Sequence, residues 1–373
     1  MLLAPEGDPD APDIPTPRSY AEAIEGPYSS QWQAAMDAEM ASWKSTSTYV
    51  DEVPPPGANI GVDFFQTFSP TPKMTTLRVL LNVATQRDYE LHSLDFSTAF
   101  LQGSLHEEIW LRRHLAKRSF PAGTQWSLRR PVYGLRQAPR EWHDTPRTTL
   151  AALGFAPSTS DPSLFLRTDT TLPPFYVLVY VDDLVFAIAD TEALAHVKSE
   201  LQKRHTCTDL GELTSYVGFR ITRDRAQRTI TLTQSHMVQQ VLQRFGFTYS
   251  SPQSTPLPTD HLLSAPPSDE LRWLTYLLTD LGEAPRSPPV LYVDNKAMLA
   301  LCHEHRLEHR TKHIALRYFL ARELQQRGQL RLAYVASQAN TADVFTKARQ
   351  PCDHQRFCTV LGLVPIVPRL LSS

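Results

Sequence analysis

The chain carries no excess of positive charge. Its 37 Lys and Arg stand against 39 Asp and Glu, a formal net charge of −2 over 373 residues. The total charge does not mark a nucleic-acid binder, and it counts only weakly against one, since the electrostatic footprint depends on where charges gather. Cysteine is scarce: Cys207, Cys302, Cys352 and Cys358 form no CxxC pair and no zinc spacing. That excludes a disulfide framework and fits a reducing setting. No apolar run approaches the length of a membrane-spanning helix, and the first residues lack the basic-then-apolar order of a signal peptide. A soluble, intracellular protein with no membrane partner is expected. Glycine is low at 14 residues and proline high at 30. The prolines gather at 5–17, 54–56, 252–267 and 285–289 and mark linkers and loop boundaries. The sharpest absence is local: from Ser45 to Pro72 there is not one Lys or Arg, while Asp51, Glu52 and Asp63 are present.

What is present suffices for two or more domains with real cores, given the length and a hydrophobic content of 42%. The most informative segment is Tyr180-Val181-Asp182-Asp183, between the apolar runs Phe175 to Val179 and Leu184 to Ala189. These runs read as two short buried strands with two carboxylates at their connection. Adjacent carboxylates in an apolar setting repel and are costly to desolvate unless a cation neutralises them. Hard oxygen ligands suit Mg²⁺; a solvated Asp-Asp turn is the plainer alternative. Asp95 closes a third such run, Leu91 to Leu94, and precedes Phe96-Ser97-Thr98-Ala99-Phe100. It is either a third metal ligand or the cap of a following helix.

Several blocks, in order, resemble the reverse transcriptase of copia-type LTR retrotransposons. They are LDFSTAFLQGSLHEEIWL (Leu94 to Leu111), VYGLRQAPREWH (Val132 to His143), DPSLF (Asp161 to Phe165), YVDDLVFA (Tyr180 to Ala187) and GELTSYVGFRITRD (Gly211 to Asp224), with the helix SHMVQQVLQRFGF (Ser235 to Phe247) after them. The resemblance implies a palm in which Asp95, Asp182 and Asp183 are catalytic and bind two Mg²⁺, with Mn²⁺ as a possible substitute. It also implies RNA template, DNA primer and dNTPs as partners. Phe100 falls at the family's steric gate, Gln137 beside the nucleotide, and Tyr180 near the primer end. A cytoplasmic virus-like particle or the nucleus is the implied location. The oligomeric state is not legible.

The resemblance also exposes gaps. In the family, a basic antiparallel segment of the fingers grips the triphosphate, in the interval where this chain runs from PPPGANI (Pro54 to Ile60) straight to GVDFFQTFSP (Gly61 to Pro70). YVDNKAM (Tyr292 to Met298), HRTKHIALRYFLARE (His309 to Glu323) and ANTADVFTKA (Ala339 to Ala348) resemble the C-terminal half of the family's RNase H domain, with Phe319 where a histidine is common. Asp294 and Asp343 match the last two of that domain's four carboxylates. The strand and helix turn bearing the other two do not appear, so RNase H activity is expected to be absent. The basic run from His303 to Arg331 follows no defensible zinc spacing and reads as a solvated or phosphate-touching helix face.

The expected fold is α/β (α+β): a reverse-transcriptase palm with partial fingers, then an incomplete RNase H-like α/β unit. Residues 1–18 read as a disordered acidic linker, 19–249 as the polymerase domain, 250–270 as a Ser/Pro-rich linker, 271–350 as the RNase H half and 351–373 as a tail. Helices are predicted at Gln31 to Ser45, capped by Ser30, at Thr76 to Arg87, and at Arg140 to Leu153, where an internal Pro146 costs about 3 kcal/mol. Three outcomes stand open: an impaired polymerase, a non-catalytic nucleic-acid-binding remnant, or a transposon-derived gene model without a stable product.

Overall fold

The computed structural model describes residues 16–55, 69–111, 124–247, 270–303, 315–345 and 349–364, with Ile14 and Lys347. The Ile60–Gly61 junction, the Ser/Pro-rich linker up to Asp269 and residues 304–314 of the basic run lie outside them. The chain divides into two compact units, Met1–Gln234 and Ser235–Ser373, so the helix from Ser235 groups with the second.

The first unit opens with α1 (Tyr20–Glu25) and α2 (Ser29–Ser45), then β1 (Tyr49–Glu52), α3 (Met74–Arg87), β2 (Glu90–Phe96) and α4 (Ala99–Gln102). Next come β3 (Trp110–Leu111), β4 (Gln125–Leu128), α5 (Ala138–Ala152), β5 (Phe155–Pro157) and β6 (Leu164–Arg167). β7 (Phe175–Tyr180), β8 (Asp183–Ile188), α6 (Thr191–Arg204), β9 (Cys207–Glu212), β10 (Ser215–Tyr216), β11 (Phe219–Asp224) and β12 (Thr229–Thr233) complete it. The central sheet has the order β5-β6-β7-β8-β2-β9, with every neighbouring pair antiparallel.

Strand alternation assigns the faces of this sheet. Leu94 and Phe96 of β2, Phe175, Val177 and Val179 of β7, and Leu184, Phe186 and Ile188 of β8 share one core with Trp142 and Leu150 of α5 and Leu194, Val197 and Leu201 of α6. The alternate residues Leu178, Val185 and Ala187 are also buried. α3 packs against β8 and buries Leu77, Leu80, Leu81 and Ala84. With both faces covered, β7 and β8 read as unbroken apolar runs. Asp161, 3% exposed, fastens α3 to β6: its carboxylate accepts from the Lys73 amide, the Thr76 hydroxyl and the Ser163 amide. This satisfies the backbone amide of Lys73, at the cap position of α3.

Two local expectations are corrected. Ser30 does not cap α2: the helix starts two residues earlier, at Ser29, Tyr28 holds the cap position without a side-chain bond, and the Ser30 hydroxyl donates to Gln31. The Ser29 amide instead donates to the Gly26 carbonyl, so the turn from α1 sets the helix start. α5 begins at Ala138 and runs through Pro146, which is buried. The anchoring of Trp142 and Leu150, 1% and 0% exposed, on either side of the proline holds the helix despite the lost hydrogen bond.

The second unit holds α7 (Ser235–Arg244), α8 (Glu270–Asp280), β13 (Val290–Val293), α9 (Lys296–His303), α10 (Ala315–Gln326), β14 (Arg331–Tyr334) and α11 (Pro351–Val360). β13 and β14 pair in parallel. The segment read as a tail thus contains the helix α11. No helix among the described residues is long and apolar enough to cross a membrane.

Three half-buried imidazoles in the first unit make its stability depend on pH. Burial lowers the pKa of His92, His143 and His205 from the ordinary 6.5, with help at His92 from Lys198 and at His205 from Arg204. The folded state therefore binds fewer protons than the unfolded chain as pH drops. Their contribution is fully present above 6.5 and is lost as pH falls through the depressed values. Burial raises Asp182 and Glu141; relief of that opposite penalty is complete only below the ordinary carboxyl values of 3.8 and 4.5. The urea midpoint of the first unit is expected to fall between pH 7.5 and pH 5.5, windows set by these groups. A midpoint that is flat or rises over that interval would contradict the assignment.

Candidate active site

Tyr180 and Asp183 pair across the β7–β8 hairpin, so Val181 and Asp182 are its two loop residues. Val181 has φ +55, a left-handed conformation that a β-branched residue adopts at a cost of about 1–3 kcal/mol. A two-residue hairpin loop with positive φ at its first position normally has glycine there. The strain is held from below. The Trp142 indole donates to the Val181 carbonyl at 2.5 Å, and the Phe96 amide donates to the Asp182 carbonyl at 2.8 Å.

Asp95 stands directly opposite Asp183 in the β2–β8 pairing. Residues in that relation point to the same face with Cβ atoms about 5 Å apart, and like charges there are destabilising without a cation. Asp95 does not cap the next helix; Thr98 holds its cap position, without a side-chain bond. The backbone thus brings Asp95, Asp182 and Asp183 to the end of two adjacent strands. Among the described residues no three His, Cys, Asp or Glu side chains converge as a ready metal-holding group. The donor set nonetheless fits a hard divalent cation. Asp182 is held above the ordinary carboxylate range by burial, a penalty that a nearby cation would relieve. The Tyr133 hydroxyl is pushed far up, first by burial and then by Asp182, Glu39 and Asp95, which places it in the field of this acidic corner.

Phe100, on α4, is 7% exposed and packs at 4.4 Å between centroids, tilted, on Tyr133. Gln137 is 1% exposed; its amide nitrogen donates to Glu107 at 2.8 Å, while its side-chain oxygen is buried without a partner. Tyr180 is half-buried and meets Tyr216 edge-on at 6.4 Å. Trp142 and Tyr133 were both within a quoted motif, yet only their tertiary contacts reveal their relation to the turn.

In the second unit, Asp294 and Asp343 are engaged by cations of the chain itself. Lys347 lies 3.5 Å from Asp294 and 3.1 Å from Asp343, and Arg349 also pairs with Asp343, which is buried. Burial acts to raise the Asp294 carboxyl, but hydrogen bonds from Asn340 and the charge of Lys347 hold it below the ordinary range.

A family model described as "Reverse transcriptase (RNA-dependent DNA polymerase)" matches residues 57–259. The Pol polyprotein of transposon TNT 1-94 from Nicotiana tabacum, described as retrovirus-related, is 33% identical over 205 residues, 53% of this chain and 15% of the relative. Those of transposons RE2 and RE1 from Arabidopsis thaliana are 26% and 24% identical, each covering 83% of this chain and 30% of the relative. The RE2 and RE1 matches extend over 440 and 446 residues, longer than this entire chain, so parts of the relatives inside the matched span have no counterpart here. The chain spans less than a third of the length of these curated relatives. A solved foamy viral protease-reverse transcriptase in complex with double-stranded DNA overlaps at a TM-score of 0.21 and 13% identity, covering 66% of this chain and 58% of that one, too slight a likeness for the folds to be compared. With more than half of its length matched, the chain belongs to the reverse transcriptase (RNA-dependent DNA polymerase) family, in the branch carried by the Pol polyproteins of copia-type retrotransposons.

Proposed function

We propose that the first unit carries an RNA-directed DNA polymerase site that adds dNTPs to a primer 3′-OH on an RNA template, at a rate well below that of an intact enzyme. The observation that carries this reading is Asp95 opposite Asp183, with Asp182 in the strained turn beside them. Asp95, Asp182 and Asp183 would hold two Mg²⁺ ions, which when bound stabilise the attacking and leaving oxygens of the transfer. The chain's own part is to fix three carboxylates at the ends of β2, β7 and β8. Tyr180 lies next to them for the primer end, and Phe100 and Gln137 border the nucleotide side.

The reduced rate follows from the stretch 45–72, which has no Lys or Arg. Polymerases neutralise the triphosphate with positioned cationic donors, and losing one such donor costs about 3–4 kcal/mol of transition-state stabilisation. The relatives' unmatched segments support an internal loss of this kind. Primer extension on poly(rA)/oligo(dT) with Mg²⁺ tests the reading: weak incorporation is expected, and none at all would leave a non-catalytic remnant.

The second unit is proposed to be the C-terminal half of an RNase H-like domain without that activity. Its two matching carboxylates are bonded to Lys347 and Arg349, cations that compete with any metal. Purified protein is expected to leave the RNA of an RNA–DNA hybrid uncut. Cleavage that disappears in Asp294→Asn would overturn this.

A further inference from the structure

We propose that Trp142 is a positioning residue for the carboxylates of the β7–β8 turn, acting through its indole hydrogen bond to the Val181 carbonyl. The inference rests on the polymerase reading for its functional meaning, but the geometry stands on its own. Trp142 lies in the second turn of α5, 1% exposed. Its Nε1–H donates at 2.5 Å to the carbonyl of the one loop residue held at positive φ. The next carbonyl, that of Asp182, accepts from Phe96 at 2.8 Å. Two consecutive peptide groups of the turn are thus tethered, one to a helix and one to the strand that carries Asp95.

The two tethers are joined by ring packing. Trp142 meets Phe96 edge-on at 5.0 Å, and Phe96 directly follows Asp95. His205 packs edge-on against both rings, at 5.4 Å from Phe96 and 6.4 Å from Trp142. Its Nε2 lies 2.8 Å from the Thr149 hydroxyl, two turns further along α5. One side chain therefore fixes the turn bearing Asp182 relative to the strand bearing Asp95. A buried indole N–H needs some acceptor. Here the acceptor is the strained peptide between the metal-site strands, so loss of the bond is expected to loosen that site selectively.

Trp142→Phe keeps a ring and removes the donor; Leu150→Val, at a fully buried site on the same helix, serves as a comparator for general destabilisation. In metal-free protein, hydrogen exchange across residues 178–184 is expected to quicken about tenfold in Trp142→Phe, the worth of one hydrogen bond. Little change is expected there in Leu150→Val. The Mn²⁺ half-saturation measured by electron paramagnetic resonance should rise by a similar factor of about ten, and incorporation at a fixed dNTP concentration should fall with it. Unchanged exchange at the turn in Trp142→Phe, or equal acceleration in Leu150→Val, would overturn the proposal. If exchange responds as expected but the parent protein extends no primer, the polymerase reading fails and the positioning role stands.

Discussion

Replacing Asp182 with Asn is expected to reduce primer extension by about 10²–10³-fold, the range for removing one charge-stabilising group from a preorganised site. The carboxylate sits in the strained loop between β7 and β8, half-buried and held above its ordinary titration range by desolvation. The amide is nearly isosteric and uncharged, so it retains the turn and removes one anionic ligand. Because a buried unpaired charge is costly, Asp182→Asn is also expected to unfold no more easily than the parent protein. Loss of incorporation together with undiminished stability would distinguish a metal ligand from a structural anchor. Equal incorporation by parent and variant would show that any activity arises elsewhere.

The second large effect concerns the sheet that carries the site. Phe186 is 0% exposed at the centre of β8, tilted against Phe175 at 6.1 Å between centroids, with the Lys198 ammonium 6.0 Å from its ring centre. Phe186→Ala removes this volume between β8 and the helices and is expected to cost about 3–5 kcal/mol. Against a total stability of about 5–15 kcal/mol for an ordinary domain, that is enough to lower the urea midpoint sharply or to prevent folding. Lys198 compounds the loss. It is buried beneath the ring, bonded to Asp209 at 2.5 Å and 3.0 Å from His92 Nδ1, and needs its dry surroundings intact. A midpoint shift worth less than about 1 kcal/mol would mean that this core collapses around the cavity far better than close packing allows.

Much of this sheet was legible beforehand for a simple reason. β7 and β8 are covered on both sides, so burial wrote them as continuous apolar runs. α3 showed Leu77, Leu80, Leu81 and Ala84 at helical spacing, and these residues are buried. β9 was harder to see: CTDLGE is mostly exposed, and hydrogen-bond partners rather than side-chain pattern define it. β2 and β9 shift register between Ser93 and Leu94, a bulge that no periodicity announces. At the site itself, motif and setting singled out Asp95, Asp182 and Asp183, and the fold sets Asp95 opposite Asp183. The tether from Trp142 could not be read this way, because an indole in an amphipathic helix reads as one more core residue until its acceptor is known. Likewise, the sequence matched Asp294 and Asp343 to two of four carboxylates without showing what they pair with. Only the fold brings Lys347 and Arg349 onto them.

The most direct test is single-turnover incorporation of dTTP on poly(rA)/oligo(dT) with Mg²⁺, followed as a function of dTTP concentration in the parent protein and in Asp182→Asn. A palm with its carboxylates in place and its triphosphate grip missing should incorporate slowly, fail to saturate at ordinary dTTP concentrations, and lose that residue of activity in Asp182→Asn. Fast incorporation saturating at low dTTP would contradict the missing grip, and incorporation indifferent to Asp182→Asn would contradict the site.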